Sequence, residues 1–157
     1  MKLERLARAT GTALKKKGQM LVTAESCTGG WVAQVVTSVA GSSEWFERGY
    51  VTYSNAAKRE DLLVAKRTLL RYGAVSEQTA RAMARGALKR GRGTIALAIT
   101  GIAGPGGGAP GKPVGTVCFA WGRGRKMRSE TKRFRGGRSR VRRQSVVHAL
   151  RGVLRWL

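Results

Sequence analysis

An α/β sandwich with a mostly parallel sheet and one antiparallel strand is predicted by three features of the 157-residue chain. Helical patterns alternate with strand-like runs along most of its length, the arrangement that builds βαβ units. The run Thr94-Ile95-Ala96-Leu97-Ala98-Ile99-Thr100 has no polar alternation, as a strand buried on both faces requires. Two later runs, 114–121 and 126–134, are joined only by Gly122-Arg123-Gly124-Arg125, and so short a connection makes them antiparallel neighbours. With further strand-like segments at 20–24 and 48–53, the sheet has about five strands.

The helices can be placed in order. Leu3, Leu6, Thr10, Ala13 and Leu14 share one helical face over 2–17, which ends in Lys15-Lys16-Lys17 and Gly18, cations and a glycine where a helix terminus favours them. A second helix begins at Trp31 and carries Val32, Val35, Val36 and Val39 on one side; Gly41-Ser42-Ser43 breaks it, and Trp45 and Phe46 pack beside a short turn. Ser54-Asn55 caps a third helix with Lys58 on its first turn, and Leu62, Leu63, Leu69 and Leu70 extend a helical stretch to Gly73. Ser76 caps a helix whose face, Ala80, Met83, Ala84, Ala87 and Leu88, is made largely of small residues and implies close approach to the sheet. The last helix starts near Arg138 and buries Val146, Ala149, Leu150, Val153, Leu154 and Leu157.

One domain over 1–157 is expected, large enough for a proper core, with 42% apolar residues. No apolar run nears the roughly 20 residues of a membrane span. The N-terminus reads as an amphipathic helix without a signal-peptide block, so a cytoplasmic location is expected. Lys and Arg number 31 against 8 Asp and Glu, a net charge of +23, and residues 123–157 alone carry +12 around a single acid, Glu130. Such a field is either a solvated basic surface or an attractor of polyanions without sequence selectivity. Trp31, Trp45, Trp121 and Trp156 are scattered rather than interleaved with the arginines, which offers no base-stacking platform. Cys27 and Cys118 make neither a disulfide framework nor a metal site.

The chain is organised around Ala24-Glu25-Ser26-Cys27-Thr28-Gly29-Gly30, between an apolar strand and a helix start. A small polar residue there sits beside backbone N–H groups that can hold a phosphate or an oxyanion, so Ser26 is either a nucleophile or a helix cap. Cys27 is the rival nucleophile, with a thiol pKa that a helix N-terminus would lower, but His148, the only histidine, falls in the last helix. Lys58, near a helix N-terminus, is either an ordinary surface cation or an amine whose pKa is lowered toward neutrality by the helix dipole and partial burial. The loop from Gly101 to Gly108 follows the buried strand at the edge where open α/β sheets bind ligands, and reads as a pocket wall. It lacks the endings of a P-loop or a dinucleotide fingerprint.

These segments, together with Gly41-Ser42-Ser43…Phe46-Glu47-Arg48-Gly49, Val51-Thr52-Tyr53-Ser54-Asn55, Gly73-Ala74-Val75-Ser76, Thr100-Gly101-Ile102-Ala103-Gly104-Pro105 and Lys112-Pro113-Val114-Gly115-Thr116-Val117, resemble the CinA C-terminal domain family over nearly the whole chain. The resemblance implies a three-layer α/β/α sandwich with a mixed sheet, and a stand-alone form without the larger N-terminal domain of some relatives. It implies hydrolysis of the carboxamide of nicotinamide mononucleotide to nicotinate mononucleotide and ammonia. In that reading Ser26 is the nucleophile, Lys58 the general base and Tyr53 the hydroxyl partner of Lys58. Cys27, Thr28 and Gly29 would serve the oxyanion, Thr100, Gly101 and Gly104 the pocket, and Arg138 and Arg142 the phosphate. No metal or other cofactor is implied. Expected partners are the mononucleotide, further copies of the chain and non-specific polyanions, with no membrane. Two acids common in the family are missing: Ala56 stands in Ser54-Asn55-Ala56-Ala57-Lys58, and Gly137 in Gly136-Gly137-Arg138. The competing expectation is a basic, nucleic-acid-associated accessory protein.

Overall fold

A computed structural model describes residues 2–157; Met1, which the sequence sets ahead of the first helix, lies outside them. The described elements run α1 (Leu3–Lys16), β1 (Leu21–Glu25), α2 (Trp31–Thr37), β2 (Phe46–Val51), α3 (Asn55–Leu62), α4 (Lys66–Tyr72), α5 (Glu77–Arg90), β3 (Ile95–Gly101), β4 (Thr116–Arg123), β5 (Lys126–Arg133) and α6 (Arg138–Trp156). The sheet order is β2-β1-β3-β4-β5. β1 pairs in parallel with β2 and β3, while β3 with β4 and β4 with β5 are antiparallel. β4 therefore runs alone against the other four strands, as the short β4–β5 connection requires.

Side-chain alternation divides the core into two layers of different volume. Ile95, Leu97 and Ile99 of β3 and Val117, Phe119 and Trp121 of β4 point toward α1, α2 and α6, whose buried residues include Leu6, Leu14, Val35, Val146 and Leu150. The opposite face presents Ala96, Ala98, Cys118 and Ala120 to Ala80, Met83, Ala84 and Ala87 of α5, backed by Leu62 and Leu69. Small residues on both partners bring α5 close to the sheet, as its face predicts. Two glycines mark where packing leaves no room for a side chain. A Cβ at Gly152 would lie 2.0 Å from the Trp121 ring, and one at Gly86 would lie 1.7 Å from the Leu62 carbonyl oxygen.

That second contact marks where the helix capped by Ser54 gives way to the short helical stretch that ends at Gly73: the chain turns out of α3 at Leu63 (φ 60°), while Leu62 beds onto Gly86. The second strand lies earlier than 48–53. It spans Phe46–Val51, and the Thr52 N–H still donates to the Glu25 carbonyl, so Tyr53 falls in the connection beyond the strand.

The topology positions a site. From β1 the chain leaves toward β2, and from β3 it leaves toward β4, on opposite sides of two adjacent parallel strands. Their carboxyl ends thus open a crevice at the reversal of strand order, where sheets of this kind bind ligands.

Candidate active site

Ser26 directly follows β1, and its N–H donates to the Ile99 carbonyl of β3 (3.0 Å), which pins the turn to the crevice. Lys58 is the fourth residue of α3, whose N-cap Ser54 accepts the Ala57 N–H at 3.0 Å. Its side chain is 1% exposed and runs back beneath the sheet edge, with Nζ 2.9 Å from Ser26 Oγ and 2.8 Å from the Thr52 carbonyl oxygen. No carboxylate is among these partners. Desolvation therefore acts with little compensation and lowers the Lys58 pKa to about 8. With one Nζ hydrogen held by the Thr52 carbonyl, a neutral amine can turn its lone pair to the Ser26 hydroxyl over the same 2.9 Å.

The surrounding turn differs from expectation in three ways. Ser26 is not a helix cap, because α2 begins only at Trp31, after Gly29 (φ 59°) and Gly30 (φ 95°). The helix N-terminus is occupied instead by Glu25, a residue the sequence reading passed over. Its carboxylate is 1% exposed and accepts the Val32 N–H (2.9 Å), the Ala33 N–H (3.1 Å) and the Thr28 hydroxyl (2.7 Å). An acid closing a five-residue strand that is buried throughout was the available signal. For the same reason Cys27 gains nothing from the helix: burial pushes its thiol up to about 12, so it is not a thiolate rival to Ser26. Third, Arg142 does not stand free beside Arg138. Its Nε donates to the Cys27 carbonyl (3.1 Å), its Nη2 to the Thr28 carbonyl (3.2 Å), and its guanidinium stacks over Trp31.

A cleft of about 250 Å³ is lined by Ser26, Cys27, Tyr53, Lys58, Thr100, Gly101, Gly104 and Arg138, among others. Pockets that enclose a whole drug-sized ligand start near 300 Å³. A cleft of this size has room for a ring-sized group. Thr28 and Gly29 stand behind it rather than in its lining. Thr100 Oγ1 donates to the Ala74 carbonyl (2.8 Å) and braces the far wall. At the mouth, Arg138 donates to the Gly104 carbonyl (2.9 Å) and to the Tyr53 hydroxyl (3.1 Å), so the hydroxyl partner of Tyr53 is Arg138 and not Lys58. Tyr53 is 63% exposed.

Gly137 is the N-cap of α6 and provides no side-chain acceptor, and the first turn of that helix holds no acid. The missing acid there leaves an uncapped helix start beside Arg138, whereas Ala56 is exposed and outside the cleft lining. A larger groove of about 620 Å³ lies between α5 and β5, but its acid, Glu77, is engaged by the Ser129 and Thr131 hydroxyls and it offers no nucleophile–base pair. Among the described residues, no three His, Cys, Asp or Glu side chains gather into a metal site. No described helix is long and apolar enough to cross a membrane.

These features define a three-layer α/β/α protein with a buried serine–lysine pair at the carboxyl edge of a mixed sheet. The model of the CinA C-terminal domain matches residues 3–157, and the chain belongs to that family. It is 53% identical over 150 residues to the nicotinamide-nucleotide amidohydrolase PncC of Escherichia coli K12, covering 94% of this chain and 90% of that protein. The protein of the same name from Pseudomonas putida is 50% identical over 149 residues, with 95% and 93% covered. Among solved structures, the competence/damage inducible protein CihA of Agrobacterium tumefaciens superposes with a TM-score of 0.94 at 47% identity, covering 98% and 94% of the two chains. A CinA superfamily protein of Escherichia coli superposes with a TM-score of 0.96 at 37% identity, covering 99% and 90%.

Proposed function

We propose that the protein is a nicotinamide-nucleotide amidase that hydrolyses the carboxamide of nicotinamide mononucleotide through an acyl-enzyme on Ser26. The observation that carries the reading is the 2.9 Å contact between buried Lys58 Nζ and Ser26 Oγ, and the two amidohydrolases named above supply the substrate. Neutral Lys58 takes the Ser26 proton as Oγ attacks the amide carbon. The oxyanion that forms faces the N–H of Cys27, which lines the cleft beside Ser26. Protonated Lys58 then gives its proton to the departing nitrogen, ammonia leaves, and Lys58 activates the water that splits the ester to the nicotinate product. The ring-sized cleft receives the pyridine, while Tyr53, Arg138 and the uncapped start of α6 face the ribose phosphate at the mouth. Ser26→Ala is expected to abolish ammonia release with the fold intact, and Cys27→Ala to retain substantial turnover. Full activity in the serine variant would overturn the reading.

A second reading draws on the charge distribution. Arg128 and Lys132 alternate with Glu130 on one face of β5, Glu130 joins that face to His148 and Arg155 of α6, and Arg140 and Arg151 share the helical spacing of His148 and Arg155, with Arg135 in the connection. That single acid is thus already engaged. If about six phosphates contact these cations, duplex DNA binding should fall with a log–log salt slope near −5. Glutamine at Arg140, Arg151 and Arg155 should flatten that slope. An unchanged slope would show that the charge is merely solvated.

A further inference from the structure

The three peptide units after Ser26 have every carbonyl engaged. The Ser26 carbonyl accepts the Gly29 N–H (3.0 Å), the Cys27 carbonyl accepts Arg142 Nε, and the Thr28 carbonyl accepts both Arg142 Nη2 and the Trp31 N–H. A trans peptide unit is planar, so its N–H points opposite to its C=O. Holding the Ser26 and Cys27 carbonyls therefore aims the Cys27 and Thr28 N–H groups the other way, and neither donates to a backbone carbonyl among the described residues; the Cys27 N–H faces its own thiol. On the far side of the same turn, Glu25 holds the Thr28 hydroxyl and the first amides of α2. It takes from α2 the donors that a strand-to-helix turn would otherwise offer a substrate. The turn is thus gripped by a buried carboxylate on its donors and a half-buried guanidinium on its acceptors, and these come from β1 and α6, distant in sequence.

We infer that Arg142 is a positioning residue for the reaction and not a phosphate ligand: with Glu25 it clamps the 26–30 turn so that Ser26 and the Cys27 amide, both on the cleft lining, are held in a preset geometry for the oxyanion. The inference rests on the Ser26–Lys58 reading and deepens it. It separates the two arginines that the sequence joins as an i, i+4 pair. Arg138 lines the cleft mouth, whereas Arg142 acts behind the nucleophile through two backbone carbonyls. The Arg142 geometry is bidentate, through Nε and Nη2, so a lysine that keeps the charge does not reproduce it.

Steady-state kinetics of the full-length protein on nicotinamide mononucleotide and on its dephosphorylated riboside test the assignment. A misaligned oxyanion site costs on the order of 10- to 100-fold in turnover. Arg142→Ala and Arg142→Lys are both expected to lower kcat by that factor on both substrates, leave KM for the mononucleotide within about 3-fold, and leave the midpoint of the pH–rate profile unmoved because Lys58 is untouched. Glu25→Gln, whose carboxamide places an N–H group against the Ala33 N–H, should give the same signature. The Glu25→Gln/Arg142→Lys double variant should lose less than the product of the single losses, since both act on one turn. If Arg142→Ala does not fold, the lysine and glutamine variants carry the test. A rise in KM confined to the mononucleotide, with kcat preserved, would make Arg142 a phosphate ligand and overturn the inference, as would unchanged kinetics in all variants. Failure of the Ser26–Lys58 reading would appear separately, as activity surviving in Ser26→Ala, whereas the mononucleotide-to-riboside comparison reports on Arg142.

Discussion

Replacing Lys58 by methionine is expected to abolish turnover and to make the stability gap from the wild type depend on pH. The reason lies in the burial of the amine. Its pKa is about 8 in the folded protein against an ordinary lysine value of 10.5. With a folded value of about 8, about 9% of the amine is neutral at pH 7, against about 0.03% at 10.5, a gain of about 300-fold in available base. The same shift costs stability. Below pH 8 both folded and unfolded chains are protonated and the folded state bears the whole penalty. Between 8 and 10.5 only the unfolded chain holds the proton, so the penalty fades as pH rises. At 1.36 kcal/mol per unit the full figure is about 3 kcal/mol, and access to the amine from the cleft reduces it to about 1–2 kcal/mol. Methionine removes this penalty but leaves the Thr52 carbonyl unpaired, which costs about 1–3 kcal/mol. The diagnostic is therefore the pH dependence and not the absolute gap. Urea unfolding of both proteins at pH 7 and 9.5 should show the stability of the wild type rising relative to Lys58→Met by about 0.6–1.2 kcal/mol, the share of the penalty that fades over that interval. The wild-type rate should climb steeply from pH 6 to 8 and flatten above 9, and Lys58→Arg should be inactive because arginine stays charged. A constant stability difference, a flat rate profile and an active arginine variant would together refute a neutral-lysine base.

Two further outcomes test the packing. Gly152→Ala drives a methyl into the Trp121 ring, whose Nε1 donates to the Ala149 carbonyl one turn away. It should cost about 1–3 kcal/mol, or roughly 2–12 °C in Tm, and a change under 1 °C by calorimetry would show that α6 can shift without strain. Gly137→Asp places an acceptor at the open start of α6, where a Cβ meets nothing within 4 Å. It should raise Tm by about 1–4 °C and, by occupying the same N–H groups, raise KM for the mononucleotide; an unchanged KM would move the phosphate away from that helix start.

Much of the fold was legible in the chain because its signals are local. Unbroken apolar runs, small-residue helix faces, caps at Ser54 and Ser76 and a short glycine-rich connection at 122–125 are short-range consequences of burial and backbone geometry, and five strands with one reversed follow from them. The sequence also marked Ser26 and Lys58 individually. Only the tertiary structure decided what each side chain meets. Whether Lys58 is a surface cation or a buried amine depends on Ser26 and Thr52, brought to it across a sheet edge. Cys27 could not be recognised as an inert thiol while the helix N-terminus seemed open, because the group that fills it, Glu25, reads locally as one acid among eight. Arg138 and Arg142 are equivalent in spacing yet part company in space, one at the cleft mouth and the other on the carbonyls behind Ser26. Desolvation and hydrogen-bond direction are properties of the packed surroundings, and residues separated by more than a hundred positions in the chain supply them here.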